Sequence, residues 1–333
     1  MTMILLASNE NPLGMPESAR RAAAAALPGA GRYPDSNGTA LKHALSARLD
    51  VPADWLVLGS GSSEILELAA QARVMPGEHV VYSQYGFVVY GQVAGQVHAR
   101  STAVPARDFG HDLDAMRAAI GEDTRLVFVA NPNNPTGTFI EAGPLLAFLE
   151  SVPPQVTVLL DEAYGEYLSP AQRYDSIAWV RRFPNLVVAR TFSKAYGLAG
   201  LRIGYGVAQH GLAGRLNAQR PRFNVSTPAQ AAALAALNDG AFLARSYQLN
   251  TAGRARLAAG LHELRLASIP SAGNFLMVQV GEGRTVHARL LAAGIEVALL
   301  DNYGLPHWLR ITVGLPEQNE AVLAALRDLA PAR

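Results

Sequence analysis

The chain has 333 residues, half of them hydrophobic and 17% charged, which is enough apolar material for a substantial core and too much for a disordered chain. Its 28 basic and 27 acidic residues nearly cancel, leaving no electrostatic footprint for nucleic acid or an anionic membrane, and no apolar run reaches the roughly 18 residues of a membrane span. There is no cysteine, so disulfides, thiolate metal sites and cysteine nucleophiles are excluded together.

Met1 to Glu10 carries no basic region and only a short apolar patch, Met3 to Ala7, so no export signal is expected and the protein is read as cytoplasmic. A helix is predicted over Pro16 to Leu27, opened by Pro16 and closed by Pro28-Gly29, and Leu41 to Leu49 follows in a helical pattern. Trp55 to Leu58 reads as a short buried strand and Ser62 to Val74 as the helix after it. Val80 to Tyr82, Val97 to Val104, Arg125 to Ala130, Val156 to Leu160, Leu186 to Ala189 and Arg202 to Val207 are further runs rich in Val and Leu. Helical patterns such as Asp112 to Ile120 and Pro144 to Glu150 lie between several of them. Continuous apolar strands alternating with helices predict an α/β fold with a mainly parallel sheet covered on both faces. From about Thr227 the texture changes to Ala/Leu-rich helices, Pro228 to Leu237 and Ala241 to Leu264. Short strands at Phe275 to Val280 and Leu309 to Val313 and a last helix, Pro316 to Leu329, complete what reads as a smaller α+β domain.

Polar residues collect at strand ends. Gly59-Ser60-Gly61-Ser62-Ser63 follows Leu58, Asn131 to Gly137 follows Ala130, Asp161 follows Leu160, and Thr191, Ser193 and Lys194 follow Arg190. Open parallel sheets bind ligands outside the carboxyl ends of their strands, so these groups describe one site. Singly they have plain structural readings as a turn, a helix cap or a tight Asn/Pro bend. Lysine occurs only at Lys42 and Lys194 in a chain otherwise furnished with arginine. Lys42 sits in a helical pattern and reads as a solvated side chain. Lys194 has small and apolar neighbours, where desolvation favours a neutral, reactive amine.

Together the parts fit pyridoxal phosphate, which needs a lysine for a Schiff base, an acid to keep its ring nitrogen protonated and a cradle for a dianionic phosphate. Ser62 and Ser63 offer hydroxyls and helix N-terminal amides to that phosphate, and Arg202 a planar charged fork. The eight histidines lack zinc-binding spacing, so no metal is expected, and there is no Walker A sequence or hydrolase elbow.

Ser8-Asn9-Glu10-Asn11-Pro12-Leu13-Gly14, Tyr33-Pro34-Asp35, Asn133-Asn134-Pro135-Thr136-Gly137 and Asp161-Glu162-Ala163-Tyr164 resemble fold-type I pyridoxal phosphate aminotransferases. The stretch from Thr191 to Gly204 and Leu309-Arg310-Ile311-Thr312-Val313-Gly314 narrow the resemblance to the histidinol-phosphate aminotransferase group. It runs from about Leu6 to Leu329, in order and at family spacing. The expected division is a large domain of residues 30–225 and a small one made of residues 1–29 and 226–333.

The resemblance implies that Lys194 is the Schiff-base lysine and moves the substrate Cα proton, and that Asp161 pairs with the ring nitrogen. It implies that Asn134 and Tyr164 hydrogen-bond the ring hydroxyl and that Phe87 stacks on the ring. Ser62, Ser63, Thr191, Ser193 and Arg202 would surround the phosphate. Tyr33 would reach the phosphate in a neighbouring subunit, which implies a homodimer with shared sites. Arg310 would clamp a substrate carboxylate, supported by Asn274. The implied partners are an amino acid donor and a 2-oxo acid, 2-oxoglutarate foremost.

Three departures from the family pattern bear on the donor. The arginine that usually precedes the Tyr-Gly-Leu-Pro stretch is Ala298 here, and losing such a contact to a substrate phosphate costs about 1.5–3 kcal/mol. This leaves histidinol phosphate beside an aromatic or other amino acid as candidate donors. Arg222 stands where relatives tend to have proline and is expected to face the site and bind an anionic group in place of the missing arginine. Members of the family also carry a longer stretch before the Ser-Asn-Glu-Asn motif, so a more open entrance is expected. Two other readings remain: a decarboxylase of a phosphorylated amino acid, suggested by Asn11 to Pro16, and a non-catalytic effector-sensing domain.

Overall fold

The structure is a computed structural model that describes residues 3–329. In chain order its strands are β1 (Ile4–Leu6), β2 (Leu56–Gly59), β3 (His79–Ser83), β4 (Arg100–Val104), β5 (Thr124–Ala130), β6 (Thr157–Asp161), β7 (Leu186–Thr191), β8 (Gly204–Val207), β9 (Ser268–Ile269), β10 (Phe275–Gln279), β11 (Ile295–Leu299) and β12 (Trp308–Thr312). The helices are α1 (Glu17–Ala26), α2 (Thr39–Leu49), α3 (Ser62–Arg73), α4 (Val89–Gln96), α5 (Leu113–Ala118), α6 (Ala142–Ser151), α7 (Ser176–Arg182), α8 (His210–Gln219), α9 (Thr227–Leu237), α10 (Gly240–Glu263), α11 (Gly283–Ala292) and α12 (Pro316–Leu329).

Seven strands form the large sheet in the order β2-β8-β7-β6-β5-β3-β4. β8 runs antiparallel to both of its neighbours and every other pairing is parallel, so β2, β5, β6 and β7 all end at the same edge. The Val and Leu runs divide alternately between two cores. Val127, Val129, Val158, Leu160 and Val188 enter one cluster with α6, α7 and α9. Leu126, Phe128, Leu159, Val187 and Ala189 enter the other with α3, α4 and α8. Each fully buried Val or Leu contributes about 1.5–3 kcal/mol, which is why these strands carry no polar alternation.

The small sheet, β1-β11-β12-β10-β9, unites the two ends of the chain. β1 pairs in parallel with β11, Ile4 opposite Ile295, and Leu6 joins Leu257, Val278, Ile311 and Val322 in a third core. Helices α1 and α9 both pack against the large sheet. Ala229, Ala232, Ala233 and Ala236 of α9, with Ala19 of α1, are buried in the core of the large sheet. Small side chains permit that close helix packing, and α9 is capped by Ser226, whose hydroxyl accepts from the Ala229 amide at 3.3 Å. The apolar run Val97 to Val104 is broken, because His98 turns the chain with φ +55° before β4 begins at Arg100. Among the described residues no helix is long and apolar enough to cross a membrane.

Candidate functional site

The common strand edge opens on a cavity of about 370 Å³. Of the residues expected at the site, Ser62, Ser63, Phe87, Asn134, Asp161, Tyr164, Thr191, Ser193, Lys194, Arg202 and Arg310 line it. They come from both lobes and from five strand ends, so parallel strand polarity alone accounts for most of the convergence.

Asp161 is the last residue of β6 and is 5% exposed. Burial pushes its carboxyl up to about 6, against the Tyr90 hydroxyl, which donates to Oδ2 at 3.0 Å, and the Ala163 amide, which donates to Oδ1 at 3.2 Å. Lys194 follows β7, and its Nζ donates to the Ser8 carbonyl at 3.0 Å, 5.8 Å from the centre of the Tyr164 ring. Burial first, then the positive charge of Arg310, push its amine down to about 8, close enough to neutrality to lose and regain a proton near physiological pH. Tyr164 is buried, which pushes its phenol up to about 12, and it accepts a hydrogen bond from Asn9 Nδ2 at 2.9 Å.

The corner at the start of α3 is built by close backbone approach. Gly61, with φ +83°, precedes α3, and a Cβ there would collide with the Arg202 guanidinium. A Cβ on Gly204 would stand 2.5 Å from the Ser62 amide nitrogen. These two glycines let Arg202 lie against the N-terminus of α3, where it donates to Ser193 Oγ at 3.2 Å and the Ser60 carbonyl at 3.3 Å. Thr191 Oγ1 accepts from the Ser193 amide at 3.1 Å and orders the same corner. Phe87 meets Tyr90 edge-on at 6.0 Å, and Tyr90 stacks on Phe128 at 4.6 Å.

Arg310 reaches in from β12. It donates to Asn134 Oδ1 at 2.5 Å and to the Ala7 carbonyl at 2.6 Å, while its Nε is buried without a partner. Ala298 is its cross-strand neighbour in β11, so no second guanidinium stands beside it on that pair.

Three expected residues lie elsewhere. Asn274 is buried outside the cavity lining and donates to the carbonyls of Asn9 and Glu10 at 3.1 and 3.3 Å, so it holds the N-terminal segment whose Ala7 carbonyl receives Arg310. Tyr33 is 81% exposed and stacks on Phe223 at 4.5 Å. Arg222 is exposed on the turn between α8 and α9, outside the cavity of its own chain, so the expectation that it faces the site is not met within one subunit. Solvation of a turn charge is the physical reason, because among the described residues no hydrogen bond or ion pair holds Arg222. Lys42 also departs from expectation: it is half-buried, and burial followed by the charge of Arg220 pushes its amine down to about 8. Ser8, Asn9 and Glu10, which carried the resemblance without a site role, and Tyr90, which the sequence reading did not name as a site residue, also line the cavity. Tyr90 had a signal, since it lies one helical turn beyond Phe87. Among the described residues no cluster of His, Asp and Glu could hold a metal.

This donor set fits pyridoxal phosphate: a desolvated amine, a buried carboxyl and a helix N-terminus with an arginine fork share one cavity. The family described as aminotransferase class I and II matches residues 1–326. Histidinol-phosphate aminotransferase 1 of Cupriavidus pinatubonensis is 60% identical over 328 residues, covering 97% of this chain and 87% of the relative. Histidinol-phosphate aminotransferase 2 of Ralstonia nicotianae is 60% identical over 330 residues, covering 98% and 88%. The solved histidinol-phosphate aminotransferase of Sinorhizobium meliloti, in complex with pyridoxal-5'-phosphate, has a TM-score of 0.90 at 30% identity and covers 99% of this chain and 92% of that one. All three are named as aminotransferases, so neither the decarboxylase nor the effector-sensing reading gains support. Matched over nearly its whole length in sequence and in fold, the chain belongs to the class I and II aminotransferases, within the histidinol-phosphate aminotransferase group.

Proposed function

We propose that this aminotransferase uses pyridoxal phosphate to move the amino group of histidinol phosphate to 2-oxoglutarate. The observation that carries the reading is the convergence of Lys194, Asp161 and Arg310 on one cavity. The 60% identity to enzymes named for that donor supports the choice of substrate over an aromatic amino acid.

When bound, the cofactor supplies a carbonyl for the donor amine and a ring that accepts the electron pair left as the Cα proton departs. The ionised Asp161 would hold a proton on the ring nitrogen. The neutral Lys194 amine would take the Cα proton and give it back to the carbon on the other side of the amino nitrogen. Phe87 would cover a ring face, and Asn134 and Tyr164 would hydrogen-bond the ring oxygen. Ser62, Ser63, Thr191, Ser193 and Arg202 would hold the phosphate. Arg310 would bind the anionic group of either substrate, since phosphate and carboxylate both accept a guanidinium fork.

The exposed Tyr33 and Phe223 pair supports a homodimer: Tyr33 would reach the partner subunit's cofactor phosphate, and Arg222, on the same loop as Phe223, would supply the partner's site with the cation missing at Ala298. The lobes would divide as residues 30–225 against 1–29 and 226–333, with α1 and α9 packed on the large one. A cytoplasmic location would accord with small-molecule substrates.

The test is the visible absorption of the loaded protein on adding single donors. Histidinol phosphate should bleach the yellow form more efficiently than phenylalanine, tyrosine or glutamate, and preferential bleaching by an aromatic donor would refute the assignment. Arg222→Ala should raise KM for histidinol phosphate; an unchanged KM for every phosphorylated donor sinks the role given to Arg222.

A further inference from the structure

Asn9 is 1% exposed and has a left-handed backbone, φ +55°. Its amide N–H donates to Thr312 Oγ1 at 3.0 Å, and the Thr312 hydroxyl donates back to Asn9 Oδ1 at 3.2 Å. Asn9 Nδ2 then donates to the Tyr164 hydroxyl oxygen at 2.9 Å. Asn274 pins the Asn9 carbonyl at 3.1 Å, so the residue is held by both its backbone and its side chain.

The directions of these bonds depend on one another. Thr312 is 3% exposed, and Asn9 Oδ1 is the acceptor for its hydroxyl proton. Reversing the Asn9 amide would turn a second donor towards Thr312 Oγ1, which already accepts the backbone N–H, and would strand that proton. The network therefore sets Nδ2 against Tyr164. A phenol that accepts a hydrogen bond on its oxygen keeps its own proton for another partner, and Tyr164 lines the cavity.

We propose that Asn9 is a positioning residue: through the Thr312–Asn9–Tyr164 relay it makes Tyr164 a hydrogen-bond donor into the cavity, towards the ring oxygen of the cofactor. This rests on the pyridoxal phosphate reading of the site and goes beyond it by assigning what controls the direction of that donation. A donor at the ring oxygen spreads its negative charge and weakens its hold on the proton shared with the Lys194 nitrogen, so the lysine-bound cofactor changes colour at a lower pH. Arg310, Asp161, Tyr303 and Lys194 also face Tyr164, and all of them remain in the variants below.

The experiment is a pH titration of the visible band of the loaded protein. Tyr164→Phe removes the donor, and Asn9→Asp places an acceptor against the phenol and reverses its donation. Both should raise the midpoint by about one to two pH units, the worth of a hydrogen bond to a charged group. Thr312→Val releases the Asn9 amide to reverse and should raise the midpoint in part, whereas Thr312→Ser should restore the wild-type value; this pair decides the matter if Asn9→Asp does not fold. A midpoint that moves in Tyr164→Phe but in neither Asn9→Asp nor Thr312→Val overturns the proposal and leaves the cofactor reading standing. An unmoved midpoint in Tyr164→Phe also overturns it. If the wild-type protein develops no visible band with pyridoxal phosphate, the reading of the site falls, and the proposal with it.

Discussion

Replacing Tyr90 by phenylalanine isolates one hydrogen bond. The ring that stacks on Phe128 at 4.6 Å is kept, and the hydroxyl that donates to Asp161 Oδ2 at 3.0 Å is lost. Asp161 is 5% exposed, so water cannot fully take over the bond. Burial already holds this carboxyl up at about 6, and the Tyr90 hydroxyl acts in the opposite direction, favouring the ionised form. A hydrogen bond to a charged group is worth about 1.5–3 kcal/mol, or about one to two pH units, so its loss in Tyr90→Phe pushes the Asp161 carboxyl further up. The ionised carboxyl is the form that would pair with a protonated ring nitrogen. Cofactor affinity of the variant should therefore fall near neutral pH and recover on the alkaline side. The assay titrates the apoprotein with pyridoxal phosphate over a pH series and reads the visible band. The pH below which affinity declines should rise by about one to two units, with wild-type and variant converging where both carboxyls are ionised. A midpoint that stays in place, or an affinity loss equal at every pH, refutes the reasoning.

Other outcomes follow from the same geometry. Lys194→Ala should abolish transamination and the visible band while circular dichroism shows an unchanged fold; retained turnover would remove Lys194 from the reaction. The rate at which the cofactor attaches to the apoprotein should rise with pH around a midpoint near 8, and Arg310→Gln should move that midpoint upward, because the arginine charge favours the neutral amine. Burial raises the Asp161 carboxyl from 3.8 to about 6, so the stability this group lends the apoprotein is full below about 3.8 and lost as pH rises through about 6. Asp161→Asn should accordingly stabilise the apoprotein at pH 8, by about 3 kcal/mol at most, and make little difference at pH 3.5, as denaturant melts would show. Gly204→Ala would set a Cβ 2.5 Å from the Ser62 amide nitrogen and displace the start of α3. A strain of about 1–3 kcal/mol at the cradle predicts a roughly tenfold or greater rise in Kd for pyridoxal phosphate, and an unchanged Kd would show that the corner yields without cost.

The strands Arg125 to Ala130, Val156 to Leu160 and Leu186 to Ala189 were legible because a sheet covered on both faces selects uninterrupted apolar residues, a local signal. Most residues that line the cavity were legible for a related reason: Gly/Ser, Asn/Pro, Asp and Lys interrupt the chain where β2, β5, β6 and β7 stop, and strands of one polarity stop at one edge. β1 was not legible as a strand. It has three residues, and its pairing partner, beginning at Ile295, lies at the far end of the chain. Lys42 read as solvated because its helical pattern shows no partner, yet it becomes half-buried once the chain folds.

The sequence by itself determined the alternation of strand and helix, the lysine, the acid and the cradle, because each depends on residues adjacent in the chain or on strand polarity. The tertiary structure alone decided how those groups are tuned. Tyr90 meets Asp161 across 71 positions and Asn9 meets Tyr164 across 155, while Arg310 meets Ala7 across 303. Hydrogen-bond direction and desolvation depend on what lies within a few ångströms in space, and a linear sequence carries no measure of that distance.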